Sequence, residues 1–292
     1  MSPVGKKWPV ITRRAMLSIA ATLCVAFSTS EAAKSEEAPK QTYRYFVFSN
    51  PTAGQEEEYN RWYEHQHIGD VLSAKDFVEA RRYIYAEDQL FVRPDIPQMP
   101  RYLVVYTIVT DDIDAVMEDV AERIRTGKTV PSPSYDRSTS QSMLYRDTPH
   151  AFVNPSPVDP APASAGSQKQ DYLHFVFTAA VPGREAEFDD WYVTKHLHEA
   201  GSSPGFYASR RLELARPSRA NPPPTRYVAT FEARTADFKV VIDEYKRRSP
   251  QRSHTDSLER NLTRGYTYRA IGPVVTRDEV LALREAAAKE AR

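Results

Sequence analysis

Aromatic and β-branched residues crowd Tyr43 to Ser49 and again Tyr172 to Thr178, and each run opens a segment with the same order of hydrophobic patterns. Such side chains suit a half-buried extended chain, so each run predicts a strand. A turn at Gly54 or Pro182-Gly183 follows, then a helix that begins with acids, Glu56-Glu57-Glu58 in one segment and Glu185 with Glu187 in the other. Acidic side chains there complement the positive end of a helix dipole. Second strands are predicted from Phe77 to Tyr85 and from Phe206 to Leu214, and third strands from Arg101 to Val109 and from Arg226 to Phe231. The sharpest periodicity comes next. Ile113, Val116, Met117, Val120 and Ile124 form one helical stripe, and Phe238, Val241, Ile242 and Tyr245 form another. Last strands are predicted at Ser142 to Arg146 and Gly265 to Arg269.

The order is β-α-β-β-α-β twice, the pattern of two ferredoxin-like units in an α+β protein. The units span 43–148 and 171–273. Residues 43 to 82 recur as 172 to 211, with fourteen of forty positions identical, which reads as a tandem duplication. Between them, 149–170 carries Pro155, Pro157, Pro160 and Pro162 among Ala and Ser, a composition that predicts an extended linker. Thr276-Arg277-Asp278-Glu279 has the form of a capping box and predicts a C-terminal helix over 276–291. A ferredoxin-like unit covers one sheet face with helices and leaves the other bare. Two units in one chain can cover each other's bare faces.

Residues 1–32 predict an export signal. Lys6 and Lys7 precede Arg13-Arg14, an apolar stretch from Ile19 to Phe27, and small residues to Ala32. The arginine pair resembles a twin-arginine signal, which implies an exported, periplasmic bacterial protein, with no membrane attachment once the signal is removed. An uncleaved anchor is the alternative, although the apolar stretch is shorter than the roughly 20 residues that span a bilayer. Lysine plus arginine and aspartate plus glutamate each total 39, without a basic stripe, so nucleic-acid binding is not expected. Cys24, the only cysteine, leaves with the signal. The mature chain then has no thiolate catalysis, disulfide or cysteine-based metal site.

Candidate chemistry gathers on the first helix of each unit. Tyr59, Tyr63, His67 and Asp70 lie along one stripe flanked by Trp62 and Gln66; Phe188, Tyr192, His196 and Glu199 repeat it, flanked by Trp191 and Lys195. An inward face this polar and aromatic suits a cleft better than a dry core. A carboxylate three residues from a histidine can orient its ring and raise its basicity, so His67 with Asp70 and His196 with Glu199 read as acid/base pairs titrating near neutrality. The alternative is a histidine bonded to the sheet backbone, with Trp62 and Tyr63 as packing. Arg81, Arg82, Arg210 and Arg211 sit in second strands, where one of each pair points inward; Arg81 and Arg210 are expected to hold a ligand carboxylate, and the alternative is an exposed strand edge. His65-x-His67 and His196-x-His198 do not predict a metal site, because side chains two apart on a helix diverge by about 200°. No glycine-rich phosphate loop follows a predicted strand.

The Trp-Tyr-x-x-x-His motif, the Phe77 or Phe206 that opens the next strand and the Arg-Arg within it resemble the dimeric α/β-barrel superfamily, in particular its EthD-like members. The resemblance covers about 45–148 and 172–272. It implies a barrel of two ferredoxin-like units, here an intrachain pseudo-dimer that is a monomer or a homodimer. It also implies a pocket for a small aromatic or apolar ligand between sheet and helices. Members include isomerases, cyclases, decarboxylases and monooxygenases. On this reading the protein is a cofactor-independent lyase, isomerase or cyclase. His67 is the base, Asp70 its orienter, and Trp62 and Tyr63 the wall, with His196, Glu199, Trp191 and Tyr192 a second, divergent site. Some relatives bind haem, which would use His67 or His196 as axial ligand, but the Gly-x-x-Asp-Gly motif of the exported dye-decolourising peroxidases is missing. The rival reading is a non-catalytic periplasmic binding or scaffold module using the same cleft.

Overall fold

The computed structural model describes residues 39–95, 97–161, 168–218, 220 and 223–290. The predicted export segment, the middle of the predicted linker and Ala291 lie outside them. In the first half, β1 (Gln41–Pro51) runs between β3 (Tyr102–Thr110) and β4 (Tyr135–Val153), and β2 (Phe77–Tyr85) pairs with β3, all antiparallel. In the second, β5 (Gln170–Thr178) lies between β7 (Tyr227–Thr235) and β8 (Arg264–Ala270), with β6 (Phe206–Leu214) on β7. The two four-stranded sheets have the same order. β4 then pairs with β6, and β8 with β2, so the eight strands close into an antiparallel β-barrel with helices outside it, an α+β fold. Closure leaves none of the eight with a free edge. The short β9 (Val275–Thr276) adds to β2.

Two strands run beyond the sequence expectation. β4 runs through Val153, past the predicted unit end at residue 148, and its last residues, Ala151 to Val153, pair with Ala208 to Arg210. Pro149, which has no N–H to donate, falls inside the register shift between Asp147 and Ala151, where the ladder is interrupted. β7 continues to Thr235 rather than ending at Phe231.

Alternation sorts the side chains into an interior and two outer layers. Phe46, Phe48, Phe175, Phe177, Tyr145 and Tyr268 fill the barrel, with Phe48 and Phe175 rings 5.6 Å apart. Tyr45 and Val47 point out beneath the first half's helices, α1 (Glu56–Trp62), α2 (Ile68–Leu72) and α3 (Ile113–Arg125). Tyr172 and Val176 do the same beneath α4 (Glu185–Trp191), α5 (Leu197–Gly201) and α6 (Phe238–Arg247). The motif helix is not continuous. A π turn, Tyr63–His67, separates α1 from α2, with the Ile68 N–H donating to the Tyr63 carbonyl, and Tyr192–His196 separates α4 from α5 in the same way. Such insertions recur at functional sites because they re-aim one face of a helix.

The C-terminal helix α7 (Arg277–Glu290) opens with the expected reciprocal cap: Thr276 N–H donates to the Glu279 carboxylate at 2.8 Å, and Glu279 N–H to the Thr276 hydroxyl at 3.3 Å. It packs on α2, with Val280 buried and Arg284 reaching Asp70.

Candidate active site

Each half holds a cavity between its sheet and its motif helix. The first measures about 450 Å³ and includes Trp62, His67, Tyr45, Tyr106, Tyr135 and Arg123 in its wall. The second, about 310 Å³, includes Trp191, Tyr192, His196, His174, Phe231 and Arg252. Volumes of this order suit small ligands. A larger groove, about 1110 Å³, runs between Glu87, Arg101 and Gln141, but it is open and touches none of the motif residues.

The π turn sets the motif geometry. His67 stacks on Trp62, ring centres 4.2 Å apart at 29°, and meets Tyr63 edge-on at 4.9 Å. His196 repeats this on Trp191 at 4.5 Å and 26°, and on Tyr192 at 5.0 Å. Tyr63 and Tyr192 are buried beneath the helix. Loss of solvent around the rings pushes both histidines down to about 4, against the smaller opposing pull of Asp70 on His67 and of Glu199 on His196. They are neutral imidazoles at physiological pH, not the near-neutral acid/base groups that the sequence suggests.

The carboxylates do something other than orient the imidazoles. Asp70, 2 % exposed, accepts from Gln66 Nε2 at 2.8 and 2.9 Å, from Val130 N–H at 3.0 Å and from Arg284 at 2.7 Å. Val130 in turn accepts the Trp62 indole N–H at 3.0 Å. Glu199 takes the N–H and hydroxyl of Ser253 at 2.8 and 2.7 Å, and the Ser253 oxygen accepts the Trp191 indole N–H at 3.1 Å. In both halves, therefore, the carboxylate clamps the loop that holds the tryptophan wall. The Nδ1 atoms of His67 and His196 are buried without a hydrogen-bond partner among the described residues.

The arginines of each pair divide between two places. Arg82 and Arg211 reach the motif helices, over Tyr63 at 4.9 Å and Tyr192 at 4.4 Å, and bind Glu64 and Asp189. Arg81 and Arg210 face a separate cavity of about 220 Å³ and pair with Asp171 at 2.7 Å and Glu232 at 3.5 Å. Alternation along the strand puts members of each pair on opposite sheet faces, and the helix-facing member is the second.

No family model and no curated relative matches the chain. Solved structures similar to it include an anthrone oxidase-like protein, 12% identical over 81% of this chain and 93% of the other, with a TM-score of 0.49. A candidate monooxygenase of Fusobacterium nucleatum is 8% identical over 82% of this chain and 95% of its own, with a TM-score of 0.44. Likeness this distant assigns no role to any residue here.

The remaining polar groups were not singled out from sequence. Tyr106, 2 % exposed, has an unpartnered hydroxyl in the first cavity, and burial holds it protonated. Arg123 donates Nη2 to the Asp70 carbonyl at 3.0 Å, while its Nε is buried without a partner. The apolar stripe of α3 carries a trace of it, since residues 116, 120 and 123 share one face. In the second cavity His174, at the repeat position of Tyr45, holds Thr267 Oγ1 through Nδ1 at 2.9 Å and leaves Nε2 unpartnered; burial pushes it down to about 3. Among the described residues no group of three His, Cys, Asp or Glu side chains is arranged for a metal ion, and His65 lies exposed while His67 lines the cavity.

Proposed function

We propose that the protein acts on a small aromatic or apolar compound in the first-half cavity. Neutral His67 takes a proton from it, and Arg123 stabilises the negative charge that develops. The observation that carries this reading is that His67, Tyr106 and Arg123 line one cavity, and each has a buried polar atom, Nδ1, Oη and Nε, without a partner among the described residues; Trp62, Tyr45, Val47 and Val71 form its apolar wall, and Ser132, Ser140 and Arg137 also line it. Buried polar groups without partners are rare and costly, and a ligand with matching groups supplies what is missing. A histidine depressed to about 4 is unprotonated at neutral pH but a weak base. Negative charge forming beside it strengthens it in the step where strength is needed. The reaction class is a lyase, isomerase or cyclase step needing no cofactor. Trp62 builds the wall with Tyr63 buried behind it, outside the lining, and His196, Glu199, Trp191 and Tyr192 belong to the divergent second site.

A non-catalytic binding or scaffold role is the second reading. The engagement of Asp70 with Val130, Gln66 and Arg284 favours it, because no carboxylate then fixes the His67 tautomer. Native mass spectrometry of protein purified from its own export compartment, followed by turnover assays of the retained compound with His67→Ala, separates the two. Loss of turnover with ligand still bound supports the enzyme; no turnover by the unaltered protein supports the binder. A Soret band would instead point to haem on His67 or His196.

The proposed origin is duplication of an EthD-like, ferredoxin-like unit, giving a monomeric pseudo-dimer. The support is the shared strand order, the repeated π turn and the fourteen identities. Export to the periplasm through Arg13-Arg14 rests on the sequence of residues 1–32.

A further inference from the structure

We infer that the second-half cavity is a separate binding site for an aromatic oxyanion, a ring bearing a carboxylate or phenolate. Its wall carries three arginines, Arg93, Arg252 and Arg260, of which Arg93 alone pairs with a carboxylate among the described residues, together with the neutral imidazoles of His174 and His196, and no aspartate or glutamate lines it, in a chain whose acids and bases balance overall. A cavity lined by one sign of charge selects the opposite sign.

Arg252 has the clearest anion-binding geometry. Its guanidinium lies 3.8 Å over the Tyr245 ring and donates to the Ser203 hydroxyl at 3.2 Å and the Tyr245 carbonyl at 2.9 Å. Both acceptors are neutral, and among the described residues no carboxylate lies within ion-pair distance of it. Two imidazole nitrogens join it. His174 is 1 % exposed, and its Nε2 has no partner; His196 Nδ1 has none either. Trp191, Phe206 and Phe231 give the flat apolar walls that suit a ring, while the cationic groups suit its oxyanion.

The site also draws on the first half. Phe91, from the segment after β2, stacks at 15° on His174 with centres 5.7 Å apart. Only a glycine fits beneath it: a Cβ at Gly265 would lie 2.4 Å from the Phe91 ring. Arg93 follows, anchored to Asp95 at 2.6 Å and to the carbonyl of Arg260 at 3.1 Å. Among the described residues, those lining the first cavity all come from the first half. The two cavities thus differ in composition and in roof, so they are expected to bind independently.

Calorimetric titration of the full chain with naphthoate, nitrophenolate and the uncharged methyl ester of naphthoate tests the inference. At least one anion is expected to bind about ten-fold or more tightly than the ester. Arg252→Gln should remove that preference, Arg252→Lys should keep part of it, and His67→Ala should leave it unchanged. Arg252 is partly exposed, so these variants are expected to fold; circular dichroism checks it. Equal binding of ester and anions, no saturable binding at millimolar concentration, or an anion preference that survives Arg252→Gln would overturn it. Loss of the preference in His67→Ala with retention in Arg252→Gln would move the anion site to the first cavity.

Discussion

Asp70 and Trp62 are joined through one residue, Val130, whose N–H donates to the carboxylate at 3.0 Å and whose carbonyl accepts the indole N–H at 3.0 Å. The carboxylate therefore supports the wall of the first cavity rather than the chemistry of His67. Asp70→Asn exchanges an acceptor-only group for one that turns an N–H₂ toward donors. Because the site is buried and also binds Arg284, a loss of about 2–4 kcal/mol is expected. Urea denaturation measures it, and hydrogen exchange of residues 129–132 should accelerate. If Asp70 oriented the imidazole instead, the variant would lose turnover with its stability intact.

Much of this architecture is legible along the chain, because alternation and helical period are local signals. They place β1, β2, α3 and their repeats, and the Thr276 cap, close to where they lie. What a local pattern does not carry is pairing across the halves, which is why β4 extends past Pro149 onto β6. The motif tryptophans and histidines are legible as a cluster. Their acidity and partners are not, since these depend on distant residues: Val130 and Arg284 for Asp70, Ser253 for Glu199, and the sheet beneath His67. Arg81 and Arg82 show the limit most plainly, because alternation says that they diverge but not which one faces the helices.

The histidines predict an acid-sensitive fold. Unfolded histidine takes a proton near 6.5, whereas His67 and His196 do so only near 4 and His174 near 3. Between these values the unfolded chain holds more protons, so stability is full above about pH 6.5 and falls as pH drops toward 4. For fully buried His174 alone the loss is on the order of a few kcal/mol. Urea midpoints at about pH 7.5 and about pH 5 should differ accordingly, and His174→Gln should shrink the difference. A flat profile across that range would mean that the rings are hydrated.

Asp76 and Gly205 occupy the same turn of the two halves, both with positive φ, at 66° and 95°. Asp76 tolerates it, helped by a hydrogen bond from Thr110 at 3.0 Å. Gly205 is constrained twice, since a Cβ there would also lie 2.4 Å from Val241 Cγ2, on the buried stripe of α6. Gly205→Ala should destabilise by about 2 kcal/mol or more through the combination of strain and overpacking. Thermal melts of Gly205→Ala and Gly54→Ala compare the two, because Gly54 has positive φ but open space around its Cα.

Tyr106 offers a test in which function and stability move in opposite directions. Its hydroxyl is buried in the first cavity with no protein partner, and burial keeps it protonated. In the ligand-free protein an unpaired buried hydroxyl is a net penalty, so Tyr106→Phe should leave stability unchanged or raise it by about 1 kcal/mol. If the hydroxyl binds ligand, the same change should weaken affinity for the compound that co-purifies by roughly five-fold to ten-fold. Val120 and Val71, in the same wall, supply the contrast: truncating either to Ala should lower stability, because apolar contact is lost without any polar group being relieved. Parallel melts and calorimetry on Tyr106→Phe decide the matter. A variant that loses stability without losing affinity would make Tyr106 part of the packing and leave His67 and Arg123 as the polar groups of the site.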